Sequence, residues 1–256
     1  MSKPPNASFY LARTALGTIE KGVGARVILA FDTTTDWLTI AVGEPHEIIA
    51  EINESAPRAH LNRLMPGIDK VLKEAKIKPQ DINQIAVGIG PGSFTGTRIA
   101  VSTARGLAQA IGCPLVGIST LDVLAMRSSS KSEVVYPILD ARRRELYTAG
   151  YGEGGRRFTE YLVLKPEELA EKLSDAGQQV VLTGDGLTQY SEVFEAALGA
   201  SLRLAKPLLW MPDASVLIEL AREKIDKKQI EPYLKVLPIY IRLSDAEETA
   251  KREKLS

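Results

Sequence analysis

The chain has 256 residues, of which 45% are hydrophobic and 25% charged, and its 32 basic side chains balance its 32 acidic ones. This composition indicates a globular protein of one large or two modest domains. Zero net charge argues against a protein that coats nucleic acid by itself. The single cysteine, Cys113, excludes an intrachain disulfide, and we expect it to be buried. No run of about 18 apolar residues exists, so no transmembrane helix is predicted.

Residues 1–26 form the first segment, and they carry four basic groups and one acid without a continuous apolar stretch. The excess of basic residues weakly indicates a transit peptide, whereas the lack of an apolar stretch argues against a secretion signal. We expect a poorly ordered extension in a cytoplasmic protein.

The first half of the chain predicts strands followed by alternating helices and strands. Apolar runs separated by turn residues predict three strands in antiparallel order at 27–31, 37–42 and 47–52. Apolar residues recur on one face over 60–75, which predicts a helix with a kink or a restart near Pro66. The following predicted elements are a strand at 85–89, a helix over about 97–111, a strand at 115–118 and a short helix after Ser119.

The second half repeats this order, after a polar boundary at 128–132 that lacks periodicity. Its predicted strands are 134–139, 145–151, 158–164 and 179–182, and its predicted helices lie near 166–173, 188–197 and 213–226. Because both halves begin with hairpin strands and then turn helical, we predict two related α/β lobes, 27–127 and 128–256. The last helix is a candidate to pack back on the first lobe.

Residues 88–98 read Gly-Ile-Gly-Pro-Gly-Ser-Phe-Thr-Gly-Thr-Arg, a glycine-rich turn between a strand and a helix. Free N–H groups at such a helix start can hold an anion. The turn is neither a Walker A loop, since no Lys follows the last Gly, nor a GxGxxG fingerprint. Phosphate binding and a tight turn needed for packing both explain it, and the second is favoured. The candidate residues are Gly90, Pro91, Gly92, Ser93, Thr95 and Gly96.

The motif GxGPGSFTGxRI at 88–99, together with Ile-Leu-Ala-Phe-Asp-Thr-Thr-Thr-Asp at 28–36, closely resembles the TsaB (YeaZ) family. The resemblance runs from about 27 to 120. It resumes at 238–247, which is similar to the family's closing P-x-Y-x-R-x-x-x-A segment, whereas 130–235 match only in outline. Thr97 stands where Leu is more typical, and residues 1–26 precede the usual family start.

The resemblance implies two ribonuclease H-like lobes of the actin/Hsp70-like (ASKHA) type. It implies a non-catalytic scaffold in the bacterial synthesis of threonylcarbamoyladenosine in tRNA. The scaffold would stabilise a TsaD-like catalytic paralogue, which transfers the threonylcarbamoyl group to the adenosine beside the anticodon of ANN-decoding tRNAs. A TsaE-like ATPase would join the pair, and ATP and Mg²⁺ would belong to these partners rather than to this chain. When alone, the chain would form a homodimer.

Metal chemistry finds little support in the residues. The catalytic paralogue carries an HxxxH pair for its metal, whereas here His60 is followed at the fourth position by Leu64, and the other histidine is His46. No metal site is therefore predicted, and the chain is not expected to be the transferase itself. A two-metal nuclease could use Asp32, Asp36 and Asp140, but the first helix offers no obvious inward acid. No Ser-His-Asp arrangement is recognisable.

A degenerate nucleotide cleft is the next candidate site. Asp32 and Asp140 follow matching strands of the two halves and would face each other across a cleft. Asp140 is followed by three arginines instead of a second glycine-rich loop, for which Gly184-Asp-Gly could partly substitute. The alternative to a scaffold is an active ASKHA-type ATPase or kinase. The candidate residues are Asp32, Thr33, Thr34, Asp140, Gly184 and Gly186.

The predicted helix 97–111 carries a face of small residues that could serve as an interface. Gly106 costs roughly 1 kcal/mol relative to Ala inside a helix, so a close approach must offset it. Packing on the sheet and a contact between chains both explain this. The family resemblance implies that this helix and the helix 60–75 form the surface that pairs with the catalytic partner or with a second copy of the chain. The predicted interface residues are His60, Leu61, Leu64, Met65, Ile68, Arg98, Ile99, Thr103, Gly106 and Ala110.

Five arginines that cluster in the second lobe form the last candidate, because they could share one hairpin edge. They could contact tRNA phosphates, or they could be a solvated edge that charge protects from aggregation. They are Arg142, Arg143, Arg144, Arg156 and Arg157.

Overall fold

The computed structural model describes residues 26–44, 46–129, 133–230 and 232–241. The first sheet contains five strands in the order β3-β2-β1-β4-β5. The first three are antiparallel, and β4 and β5 run parallel to β1. The strands are β1 (Ile28–Asp32), β2 (Trp37–Glu44), β3 (Glu47–Ser55), β4 (Gln84–Gly88) and β5 (Leu115–Ile118).

Helices α1 (His60–Glu74) and α2 (Phe94–Ile111) pack on this sheet. α1 continues through Pro66 without the predicted restart. α2 begins earlier than predicted because the Ser93 hydroxyl caps it, accepting a hydrogen bond from Gly96 N at 3.2 Å. The helix ends at Gly112, whose left-handed conformation suits glycine.

The second sheet repeats the topology of the first. Its order is β10-β9-β6-β7-β8, so its strands, counted along the chain, have the same neighbours and directions as β1–β5. The strands are β6 (Val134–Asp140), β7 (Leu146–Thr148), β8 (Leu162–Leu164), β9 (Val180–Thr183) and β10 (Leu202–Leu204). The predicted α/β class with two related lobes is confirmed. The sequence did not predict β10, and β7 and β8 are shorter than predicted.

The remaining helices are α3 (Thr120–Ser128), α4 (Pro166–Ala176), α5 (Leu187–Leu198) and α6 (Ala214–Asp226). α3 follows the first sheet in the chain but contributes to the core of the second, where Leu124 meets Val135 and Leu139. α6 follows the second sheet but packs on the first, where Leu217 and Ile28 share a core. The two lobes are thus joined by helices that each cover the other lobe's sheet.

Cys113 is buried at the junction of α2 and β5, as predicted, and burial raises the pKa of its thiol. No helix in the described ranges has both the length and the apolar character needed to cross a bilayer. Residues 1–25, for which we predict a poorly ordered extension, lie outside the described residues. Residues 242–247, the end of the closing motif, also lie outside them.

Candidate functional site

The glycine-rich turn packs directly on the turn that follows β1. Thr34 O accepts a hydrogen bond from Ser93 N at 2.6 Å, and Thr33 Oγ1 donates to Gly96 O at 2.7 Å. A Cβ atom at Gly92 would lie 2.3 Å from Thr34 O, and one at Gly96 would lie 2.0 Å from Thr33 O. Only glycine therefore allows this approach, and the space that a bound anion would need at Gly92 and Gly96 is filled by carbonyl oxygens.

Asp32, the candidate nucleotide-binding carboxylate, is fully buried beneath Gly88. Its Oδ1 accepts from Thr34 N at 2.5 Å and its Oδ2 from Thr120 Oγ1 at 3.3 Å. A Cβ atom at Gly88 would lie 2.0 Å from Oδ2. Burial raises the pKa of Asp32, while the hydrogen bonds from Thr34 and Thr120 oppose that rise. The carboxylate supports the turn from inside and does not line the cleft.

A cleft of about 550 Å³ lies between the lobes. Of the six residues predicted for a nucleotide site, Thr34 and Asp140 line it. Gly184 instead lets the turn after β9 approach β6, because a Cβ there would lie 2.2 Å from Ile138 O, and Gly186 packs beside it. Sequence reasoning missed several aromatic lining residues because they come from distant parts of the chain. Those aromatic residues are Trp37, Phe94, Tyr147 and Trp210.

Three carboxylates approach one another in this cleft: Asp36 from the first lobe, and Asp140 and Asp185 from the second. Asp185 accepts from Asp140 N at 3.0 Å, and Asp140 pairs with the Arg142 guanidinium at 3.0 Å. Burial, with the charges of Asp140 and Asp36, raises the pKa of Asp185 to about 6. Three carboxylates and one guanidinium, that of Arg142, therefore line this part of the cleft, so it is on balance acidic where the phosphates of a nucleotide would need cations or free N–H groups.

No cluster of three or more His, Cys, Asp and Glu side chains within the described ranges has a geometry that could hold a metal ion. His60 is buried, its Nε2 donates to Thr35 O at 2.8 Å, and its Nδ1 is buried without a hydrogen-bond partner among the described residues. It faces the interior, at the start of α1.

The predicted interface residues divide into a buried and an exposed group. His60, Leu64 and Ile68 belong to the core of the first lobe and lie beneath the surface of α1. Leu61 is 74% exposed and Met65 48%. On α2, the residues Arg98, Gly106 and Ala110 are exposed, and Ile99 and Thr103 are half-buried.

The five arginines do not share one edge, so that prediction is wrong. Arg142–Arg144 follow the end of β6, and all three have positive φ, at 62°, 54° and 61°. Arg157 forms an antiparallel β-bridge with Tyr151, and Tyr151 forms another with Val135, near the start of β6. Five residues of strand separate the two groups, or roughly 17 Å.

Two lobes of identical sheet topology facing one cleft place the chain in the actin/Hsp70-like class. A family model described as TsaD, tRNA N6-adenosine threonylcarbamoyltransferase, matches residues 47–250. The Bacillus subtilis (strain 168) protein TsaB is 30% identical, over 86% of this chain and 96% of that protein. The Escherichia coli (strain K12) protein TsaB is 32% identical, over 84% and 94%. The solved structure of YeaZ from Pseudomonas aeruginosa is 30% identical with a TM-score of 0.72, over 84% and 100%.

The chain belongs to the TsaB (YeaZ) family, as its two motifs predicted.

Proposed function

We propose that the chain is the non-catalytic scaffold of the complex that makes threonylcarbamoyladenosine in tRNA, and that it binds and stabilises the TsaD-like catalytic subunit. The relatives are named for this biosynthesis, which supports the pathway. The observation that carries the scaffold role is the exposed face of α1 and α2, which we call the helical face and define by Leu61, Met65, Arg98, Gly106 and Ala110.

The helical face has the properties of a surface that another protein covers. Two large apolar side chains, Leu61 and Met65, stand in solvent on α1. α2 turns Ala100, Ala104 and Ala108 toward the sheet. Gly106 lies opposite them, and no atom of the residues that the structure describes lies within 4 Å of where its Cβ would be. Packing on the sheet therefore does not explain Gly106, whereas close approach by a partner helix does.

The alternative of an active ASKHA-type ATPase or kinase has less support. Its main carboxylate, Asp32, is buried and hydrogen-bonded to Thr34 and Thr120. Arginines occupy the turn after β6, where a second glycine-rich phosphate loop would be needed. In our proposal, the partners, including a TsaE-like ATPase, bind ATP and Mg²⁺, and this chain needs no cofactor of its own.

The helical face also bears on how the chain assembles with other subunits in the cell. In the cytoplasm, the helical face would pair with the catalytic subunit, and without it with a second copy of this chain. These five arginines lie in two separate groups, so they do not themselves form a continuous basic edge for tRNA. Contact of tRNA with this chain would therefore depend on the assembled complex.

The test is reconstitution of tRNA threonylcarbamoylation from the catalytic subunit, the ATPase and the adenylate-forming enzyme, with and without this chain. Gly106→Leu places a large side chain on the helical face. Ala196→Leu, at an exposed position of α5 in the other lobe, is the matched control. We expect modification to require the chain, to fail with folded Gly106→Leu and to persist with Ala196→Leu. Equal modification without the chain would contradict the proposal.

A further inference from the structure

The C-terminal segment 236–241 crosses the start of α2 and is held there by one buried side chain and one backbone hydrogen bond. Val236 is buried in the core of the first lobe. Ile239 N donates a hydrogen bond to Ile89 O at 2.8 Å, which ties the segment to the residue after β4. The segment therefore brings Tyr240 to a defined position beside α2.

At that position Tyr240 meets Phe94 and Arg98. The rings of Tyr240 and Phe94 have centroids 5.3 Å apart, and the Tyr240 hydroxyl accepts a hydrogen bond from Arg98 Nε at 3.0 Å. The Arg98 guanidinium lies over the Phe94 ring, 3.8 Å from its centroid. One arginine is thus held by two aromatic side chains that come from distant parts of the sequence.

The terminal nitrogens of Arg98 are not used within the described ranges of the chain. No hydrogen bond from them and no ion pair of Arg98 is formed there, and the side chain faces solvent. The aromatic side chains that hold it also remain exposed, Phe94 at 40% and Tyr240 at 47%. An oriented guanidinium with two free terminal nitrogens fits a carboxylate through two parallel hydrogen bonds.

We propose that Arg98, oriented by Phe94 and Tyr240, binds a carboxylate of the catalytic subunit at the edge of the helical face. This inference rests on the proposed scaffold function, because Arg98 lies on the same helix as Gly106 and continues that face. Arginine and aromatic side chains are frequent where interface energy concentrates, and an already oriented side chain loses little entropy on binding. The apolar side chains Leu61 and Met65 of the same face favour a protein carboxylate over a tRNA phosphate.

The test is the Kd between the full chain and the catalytic subunit of the same organism, measured by titration calorimetry at low and high salt without tRNA. Arg98→Met should weaken binding about tenfold or more and flatten its salt dependence. Arg98→Lys keeps the positive charge but cannot form the two parallel hydrogen bonds, so it should retain only part of the affinity. Tyr240→Phe keeps the ring but loses the acceptor for Nε, and should weaken binding about threefold to tenfold.

Lys172→Met, which removes an exposed cation from α4, is the matched control and should leave the Kd unchanged. Melting curves establish that each variant is folded. If folded Arg98→Met and Tyr240→Phe bind like the unaltered chain, the carboxylate contact is overturned and the scaffold function stands. If the unaltered chain itself does not bind, the scaffold function fails and this contact fails with it. A separate measurement of tRNA binding by the assembled complex distinguishes the remaining source: if the variants bind the subunit normally but their complexes lose tRNA, a phosphate contact replaces the carboxylate contact.

Discussion

Gly96 and Gly106 lie on the same helix in opposite surroundings. We expect Gly96→Ala to destabilise the isolated chain by about 2 kcal/mol or more, because the new Cβ would lie 2.0 Å from Thr33 O. Gly106→Ala should stabilise it by about 1 kcal/mol, since no described part of the chain lies within 4 Å of the new Cβ and alanine favours helix. Urea unfolding at low protein concentration measures both. Destabilisation by Gly106→Ala would reveal an intrachain contact at that position.

Asp185 predicts a pH-dependent stability. Its folded-state pKa of about 6 lies above the usual 3.8, so folding disfavours its charged form. The cost is full above pH 6 and is relieved as the pH falls through about 6 toward 4. Asp185→Asn keeps an acceptor for Asp140 N and should stabilise the chain by about 1 to 2 kcal/mol at pH 8.

Unfolding of Asp185→Asn from pH 4 to 8 measures this, with Asp175→Asn, an exposed carboxylate on α4, as the control. The gain should shrink as the pH falls and should be absent in Asp175→Asn. A gain independent of pH would mean that the carboxylate charges across the cleft are not its cause.

At the scale of elements, Arg127 at the end of α3 joins the two helices that link the lobes. Its guanidinium donates to Leu208 O at 2.8 Å and Met211 O at 2.6 Å, and it pairs with Asp213 at 3.0 Å. Asp213 in turn caps the start of α6 by accepting from Ser215 N. The end of α3 therefore fixes the segment that leads into α6.

Arg127→Met should destabilise the chain by about 2 to 3 kcal/mol, because it leaves a mostly buried carboxylate and two carbonyls without their donor. Arg203→Met breaks the more exposed pair with Glu133 and should cost less than about 1 kcal/mol. Urea unfolding compares the two, and faster hydrogen exchange around 208–215 should accompany only the first. Equal costs would contradict a special role for Arg127.

Element boundaries depended on contacts that local patterns do not show. Apolar periodicity predicted α1 within a residue, and the apolar run at 115–118 predicted the strand Leu115–Ile118 with the bounds that are observed. The start of α2 depended on the Ser93 cap, and β10 has only three residues and pairs with β9 alone. Strands this short form because a neighbouring strand is present, which a local pattern cannot reveal.

At the scale of the whole molecule, the cleft between the lobes separates the scaffold from the kinase alternative. We expect no micromolar affinity for ATP·Mg²⁺ in the isolated chain, measured by calorimetry. Asp32→Ala should instead lower stability by about 2 kcal/mol or more, because Thr34 N and Thr120 Oγ1 lose their buried acceptor. Micromolar binding that disappears in a folded Asp32→Ala variant would favour the kinase.

By itself the sequence determined the family, the α/β class and the succession of strands and helices in two related halves. Those properties depend on short motifs and on apolar spacing, which are local along the chain. Only the tertiary structure decided that Asp32, His60 and Leu64 face the interior, and that Arg98 meets Tyr240. Exposure and long-range contact depend on how distant segments pack, so identical residue types can form a core, a cleft or a surface.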